Sequence, residues 1–536
     1  MVARNRFAHV SLINERDLDA AVDAKSPDTG TTVARRMYFL FVGNVSSTIM
    51  LAVTAIVVGR LLGPEGYGLY TLALVIPGYL ASVTLLGIPF AATRYPAKYV
   101  SEGDEKKATS FLYSMAIVEG LLGLAAILIT IPFAAPISAF LFNRPGLAYL
   151  IPLAVVSVAG QLLYNTVTAG FQGLNMMGRS AQLQVLQAAV KLTVSVGLVL
   201  AGFEVLGAVW GYTLAFVASG LMGLGAAVLM NGNVLPKGLW QDLREALRYS
   251  APVYLSNLLA GVVPAYLVTL LARFSTNAQI GGYGAAQNLV ALISLFIYPI
   301  STTLFPLFSG IAGDEGVFKG TYAAAVKYST MFIVPVAMLM ISLATPLASA
   351  VYGREFTFAG NFLAVLVVPY LFAGVGSLAQ VSFLNGIGET RKTLLVGVTG
   401  SAVTFALGAF LAPLFSIYGV LVAAVLGSAT SYLVAANIIG RKLGTVSYVR
   451  QGWRVYVSSA VAAALVYPVT YLPLRSFFVV LIGGAGFFLL VVPLMALMGA
   501  VRQDDLIVLE GYFSGIGPAA RLFGVVEAYY RVFGGR

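Results

Sequence analysis

Past a polar first stretch, the chain alternates long apolar runs with short polar breaks along almost its whole length. An apolar run of about 20 residues is long enough to cross the hydrocarbon of a bilayer as a helix. The pattern predicts a first group of spans near residues 38–59, 70–92, 111–131, 150–171, 183–203 and 206–230. It predicts a second group near 254–271, 283–307, 328–351, 362–384, 394–415 and 417–439, and two more near 455–471 and 477–498. The breaks at 203–206 and 415–417 leave room only for tight turns. Residues 1–32 are polar and mixed in charge, which predicts a flexible tail. They lack the continuous apolar core of a signal peptide, so the first span is expected to act as the targeting signal.

Composition supports spans over a soluble core. Of 536 residues, 59% are hydrophobic and 10% charged, and the mean hydropathy is +0.89. A soluble domain carries about 25% charge. The net charge of +11 would suggest nucleic acid if the cations were clustered, but they sit at the predicted helix ends. With the N-terminus inside, 26 of the 32 Lys and Arg fall on the inner side; Arg60, Arg144, Arg273, Arg354 and Arg475 fall outside, and Lys191 lies within a span. This bias is the positive-inside pattern. It predicts a multi-pass protein of the cytoplasmic membrane, both termini cytoplasmic, with the bilayer as partner and no nucleic acid.

Cysteine is absent and His9 is the single histidine, which excludes disulfides, thiolate metal sites and histidine zinc sites. There is no Walker or dinucleotide-binding fingerprint, so no cofactor and no enzyme activity are expected. The outer loops are short, which argues against a membrane glycan ligase or polymerase with its clustered extramembrane acids. Transport is the remaining class.

The chain also repeats itself. Phe171 opens FQGLNMMGRS and Phe383 opens FLNGIGETRK, an offset of 212; Gly207 in EVLGAV and Gly419 in SIYGVL share that offset. Arg60 with Gly66 and Gly68 aligns loosely with Arg273 and Gly282–Gly284. Two halves that both start inside and hold six spans each make a parallel repeat about an axis along the membrane normal. The expectation is an all-α protein of 14 transmembrane helices, as two pseudo-symmetric six-helix lobes plus two C-terminal helices. By segment this gives a tail (1–36), a first lobe (37–235), an interfacial amphipathic linker (236–252), a second lobe (253–445), two last spans (446–502) and a cytoplasmic amphipathic tail (503–536). The linker reads KGLWQDLREALRYS, with Leu239, Trp240, Leu243 and Leu247 on one helical face.

The string GRLLGPEGYGLYTLA, residues 59–73, is physically a helix stop, a turn and a restart: Gly63-Pro64 breaks the helix, and Gly66 and Gly68 permit tight backbone. It resembles the first-hairpin signature of the Wzx-type polysaccharide flippases, within the multidrug/oligosaccharidyl-lipid/polysaccharide exporter superfamily. GIPFAATRYPAKY, FQGLNMMGR and Tyr418-Gly419 are also similar, and the likeness covers residues 37–500. The second half keeps GGYGAAQ but lacks the Pro-Glu. The resemblance implies twelve core helices in two lobes and export of a lipid-linked glycan, with glycan-assembly enzymes as prospective partners. A cation-coupled multidrug exporter is the alternative within the superfamily.

The head of a polyprenyl-diphosphate glycan cannot cross hydrocarbon unaided, so such a protein needs a hydrated cavity with cations. Ionisable groups inside spans are the candidates. Glu119 and Lys191 each lie eight residues into their predicted spans, about 12 Å deep. Gln184, Gln187 and Lys191 form one polar stripe, and Asn44, Gln161 and Asn165 add polar groups to the first lobe. Lys191 either contacts the diphosphate or pairs with Glu119 as a structural ion pair. Glu119 is either that partner or a carboxylate coupling transport to a proton or sodium ion. The resemblance implies a cavity role for Arg94; an inner anchor is the alternative. Arg60 and Arg273 read as helix-end markers. Gln287 and Asn288 face a cleft or bond helix to helix.

Overall fold

The computed structural model describes residues 29–310 except 233, 235 and 237, then 315–443, 449–500 and Gly524. His9 and the expected cytoplasmic tails, apart from the helix start at Thr29, lie outside the described residues or at their margin. Among the described residues every regular element is helical. The first half comprises α1 (Thr29–Ala73), α2 (Val75–Thr84), α3 (Ile88–Ser101), α4 (Glu105–Thr130), α5 (Ala134–Phe142), α6 (Leu150–Gly173), α7 (Met177–Leu198) and α8 (Glu204–Asn231). The second comprises α9 (Leu239–Phe274), α10 (Asn277–Gly310), α11 (Glu315–Ser342), α12 (Ala344–Tyr352), α13 (Ala359–Val367), α14 (Gln380–Gly386) and α15 (Thr390–Leu443). Helices α16 (Val449–Val466) and α17 (Ser476–Leu497) follow. The end of the bundle that holds residues 60–68 is called distal here, and the end that holds residues 101–104 proximal.

Among the described residues, seven helical segments are long and apolar enough to cross a membrane, or eight with the bent pair Ala359–Val375 and Gln380–Gly386. Four of them, Tyr38–Thr84, Glu105–Phe142, Met177–Met230 and Thr390–Leu443, are 38 to 54 residues long. At 1.5 Å per residue these exceed a hydrocarbon core of about 30 Å. Each contains a break. In α1 the break is Gly63, at φ 65 and ψ 177, followed by Pro64. In α15 it is Ser416, at φ 51 and ψ −129. The two arms of α15 then fold back on one another, with Gly400 against Ser431 and Gly427 against Thr404. The chain is a multi-pass helical membrane protein.

The tight turns anticipated near 203–206 and 415–417 are this same device used twice. Glu204 adopts φ 47 and ψ −129, a near copy of Ser416 212 residues later. Gly207 then packs on Leu198, and Gly419 on Leu411. The FQGLNMMGRS and FLNGIGETRK turns are also copies, but with an offset of 213. Asn175 (φ 59) matches Gly388 (φ 78). The bond Met176 N–H to Phe171 O, 2.7 Å, matches Glu389 N–H to Leu384 O, 2.8 Å. Phe171 therefore corresponds structurally to Leu384, one residue on from the Phe383 that letter matching selects. Phe171, Phe383 and Leu384 are all buried, so the backbone geometry of the turns, not burial, sets the register.

First-half helices close on one another through small residues. Gly123 of α4 lies on Ala159 of α6, Gly160 of α6 on Val217 of α8, Gly211 of α8 on Ser195 of α7, and Gly43 of α1 on Ala181 of α7. In hydrocarbon, such close backbone approach replaces the hydrophobic drive that water would supply. The segment 236–252 is not a separate helix: it opens α9, which runs 36 residues without interruption to Phe274. Leu239 and Leu243 pack with buried Ala246 on α3 and α4, while Trp240 stays 76% exposed. Ser114 Oγ donates to Asp242 at 2.5 Å and Tyr99 Oη to Glu245 at 3.4 Å. Burial, and Glu245 beside it, push the Tyr99 phenol up to about 12, so it remains a donor.

Candidate functional site

Helix α7 begins at Met177, six residues before the span read from the sequence, and α4 begins at Glu105. Lys191 and Glu119 therefore each stand fourteen residues along their helices, about 21 Å from the start. That is well inside each helix, six residues further from its start than the apolar pattern alone places them. The two are not an ion pair. Glu119 is fully buried, and neither carboxylate oxygen has a hydrogen-bond partner. Its neighbouring hydroxyl is Thr166 of α6, also buried without a partner. Lys191 belongs to a different interface. Its Nζ lies 5.1 Å from the ring centroid of Tyr212 on α8, a cation–π contact. Among the described residues no carboxylate lies within ion-pair distance of it.

Tyr212 is held from behind. Gln161 Nε2 donates to its Oη at 3.2 Å and to Ser157 Oγ at 3.1 Å. Tyr70 of α1, 8% exposed, lies beside it. The arrangement is a half-buried ammonium whose counter-group is an aromatic face. A cation held inside a helix of a membrane protein against an aromatic face is costly to keep there, which makes Lys191 a candidate functional residue. Gln187, four residues from Lys191, is 4% exposed, and Gln184 is partly buried. Asn165 is partly buried on α6, and Asn44 is exposed on α1, where its carbonyl accepts from Ser47 and Thr48. Arg94 stands apart. It is exposed on α3, its guanidinium 4.1 Å from the ring centroid of Tyr249. Tyr70 and Tyr212 escaped the sequence reading because an aromatic residue within a span normally means core.

The distal end is tied across the halves. Arg60, read as a helix-end marker, donates from Nε to Val351 O at 2.6 Å and from its terminal nitrogen to Ala350 O at 2.5 Å. It thereby satisfies the last carbonyls of α12, which no helical N–H can reach. Arg144 does the same for α9: it donates to Ala272 O at 2.9 Å, to Ser275 O and to Asn277 Oδ1. Asn288 Nδ2 donates to Tyr67 Oη at 2.8 Å, bonding α10 to α1, while Gln287 donates to Tyr283 within α10. Tyr67, Tyr352 and Phe356 stack with centroids 5.3–6.2 Å apart.

Between these ties the backbones touch reciprocally. Gly68 lies against Asn277 O, and Gly281 against Pro64 O. Each pair exchanges under an offset of 213, since 64 maps to 277 and 68 to 281. Thr71 meets its own equivalent, Gly284, whose Cβ position is 2.9 Å from Thr71 Oγ1. A residue that touches its own copy lies on a local two-fold axis.

Comparisons with known proteins agree with this architecture. The probable low-salt glycan biosynthesis flippase Agl15 of Haloferax volcanii is 21% identical over 442 residues, covering 81% of this chain and 89% of its own. The lipid II flippase MurJ of Bacillus subtilis is 23% identical, covering 77% and 81%. Among solved structures, a lipid II flippase MurJ in an inward closed conformation superposes with a TM-score of 0.69 at 14% identity, over 84% of this chain and 97% of that one. An inward-facing multidrug transporter of the MATE family gives 0.63 at 17%, over 76% and 98%. These two share the fold. The family described as polysaccharide biosynthesis protein matches residues 33–312, more than half of the sequence, and the chain belongs to that family.

Proposed function

We propose that the protein is a flippase that moves a polyprenyl-linked oligosaccharide, or a similar lipid-linked glycan, outward across the cell membrane by alternating access. The carrying observation is Lys191: a mid-helix ammonium with no carboxylate partner among the described residues, set against Tyr212 and the Gln161–Ser157 chain behind it. A diphosphate supplies the missing anion and a fixed cation lowers the cost of bringing it below the headgroups. Family membership and the names of the relatives support the same substrate class. Fourteen crossings, in two six-helix lobes plus α16 and α17, are part of this reading, supported by the reciprocal contacts and the duplicated Glu204 and Ser416 turns. The distal end faces outward and both termini lie in the cytoplasm, as the basic-residue bias supports. Arg60 and Arg144 then hold the outer side shut while the inner side receives substrate. Gln184, Gln187, Asn44, Asn165 and Arg94 are proposed to line the path of the head group, with Glu119 as the candidate for ion coupling.

Deletion in the native host tests this. Lipid-linked glycan should accumulate on the inner leaflet, and the surface polymer should disappear, with drug susceptibility unchanged. Intact surface polymer with drug hypersensitivity would favour the multidrug alternative.

A further inference from the structure

We propose that the distal end carries a second ligand site, outside the translocation path: a saccharide-binding pocket, selective for acidic sugars, between the second half and α16–α17. A cavity of about 510 Å³ opens there, within the roughly 300–1,000 Å³ range of pockets that enclose small organic ligands. Its floor is Thr345, Ser349 and Asn361 of α12 and α13; its far wall is the turn from Tyr467 to Ser476 that joins α16 to α17. Ser349 Oγ bonds Ser476 Oγ at 2.8 Å, pinning that turn to α12.

Although Ser349 pins the α16–α17 turn, the polarity of the pocket is not shared by the repeat. The nine-residue helix α12 and its following turn repeat α5 and its turn: Gly353 N–H bonds Ser349 O at 3.0 Å as Asn143 N–H bonds Ala139 O at 3.1 Å, and Thr357 N–H bonds Arg354 O as Ala148 N–H bonds Pro145 O, both at 3.2 Å. At the positions of Ser342, Thr345 and Ser349 the first half has Pro132, Ala135 and Ala139; at those of Thr357 and Asn361 it has Ala148 and Pro152. Each of these five polar residues lining the cavity replaces an apolar one in the repeat. The cation differs as well. Arg144 spends its guanidinium on α9, whereas Arg354, in the equivalent turn, is exposed, lines the cavity and has no hydrogen bond or ion pair from its side chain among the described residues. Among the described residues the first half also has no counterpart of α16 and α17 packed at this place.

The lining chemistry selects the ligand. Tyr467 and Tyr471 stand edge to face at 5.6 Å and 85°, and are 49% and 74% exposed. Exposed tyrosine faces at a polar rim suit the apolar C–H face of a pyranose, while Ser, Thr and Asn side chains suit its hydroxyls. Arg354 offers a two-pronged donor to a carboxylate or phosphate on the sugar. Taking the sugar as part of the exported glycan rests on the flippase reading; the pocket's affinity does not.

The test is saturation-transfer NMR on the full-length protein in phosphatidylcholine nanodiscs, with trigalacturonate and maltotriose as probes. Both should receive saturation, and trigalacturonate should bind about tenfold more tightly, the worth of one charge-assisted hydrogen bond. Arg354→Gln should erase that preference and leave maltotriose binding unchanged. Tyr471→Ala, at an exposed position where folding is not at stake, should weaken both probes. Lys106→Gln, an exposed charge at the proximal end, should change neither. Absence of saturation transfer to both probes overturns the site, as does binding that survives Arg354→Gln and Tyr471→Ala unaltered, or displacement of trigalacturonate by glycerol phosphate alone, which would mark a lipid headgroup site. Because no transport is measured, failure of the flippase reading would appear in the deletion phenotype and leave these outcomes intact.

Discussion

Lys191 and Glu119 are the two charges that a hydropathy profile leaves stranded inside helices, and their separation decides how each should respond to mutation. Lys191 faces α8 and Glu119 faces α6, so neither compensates the other. Lys191→Ala should abolish transport while the protein folds and inserts, and Lys191→Arg should keep part of the activity, since the positive charge survives. Glu119→Gln keeps the shape of a side chain that has no cation beside it, so the thermal midpoint should hold or rise. The double variant Lys191→Ala/Glu119→Gln should show stability effects that add within about 0.5 kcal/mol, as for independent sites. A thermal-melt series with a coupling energy well beyond that would restore the ion pair.

At the scale of elements, α1 and α10 cross where Gly68 and Gly281 let backbone meet backbone. A methyl group at either position collides with a carbonyl that cannot rotate away, Asn277 O in one case and Pro64 O in the other. Gly68→Ala and Gly281→Ala should each destabilise by about 1–3 kcal/mol, the usual cost of overpacking, and by similar amounts because the contacts are reciprocal. Gly197→Ala in α7, with nothing within 4 Å of its Cβ position, is the control. Differential scanning fluorimetry reads all three; a silent Gly281 beside a damaging Gly68 would argue against the local two-fold.

For the whole molecule, the distal closure is a set of separable bonds. The sequence contains no cysteine, so each introduced thiol reports alone. Thr71→Cys lies in the seam beside Gly284 and should label slowly with an impermeant maleimide applied outside. Adding Arg60→Gln or Arg144→Gln should speed labelling several-fold, because α12 or α9 then loses its cross-half cap; an unchanged rate would remove these arginines from the closure. Orientation has its own reporters. Thr357→Cys, exposed on the distal side, should react in intact cells, whereas Ser26→Cys and Ser447→Cys should be protected. Labelling of Ser447→Cys from outside would overturn the even number of crossings.

The sequence by itself determined the membrane setting, the helix class, the breaks at Gly63-Pro64 and before Gly207 and Gly419, and the existence of a repeat. Each of these follows from local chemistry: apolar length, glycine and proline backbone, and the recurrence of both. Only the tertiary structure decided the register of the repeat, because the turn bonds at Phe171 and Leu384 and the left-handed residues Asn175 and Gly388, not letter identity, align the turns. It alone separated Lys191 from Glu119, since equal depth along two helices says nothing about which face each side chain takes. It alone gave Arg60 and Arg144 their acceptors, which are carbonyls at the ends of helices more than a hundred residues away. A backbone carbonyl carries no sequence signature, so a bond to one becomes visible only when the chain has folded.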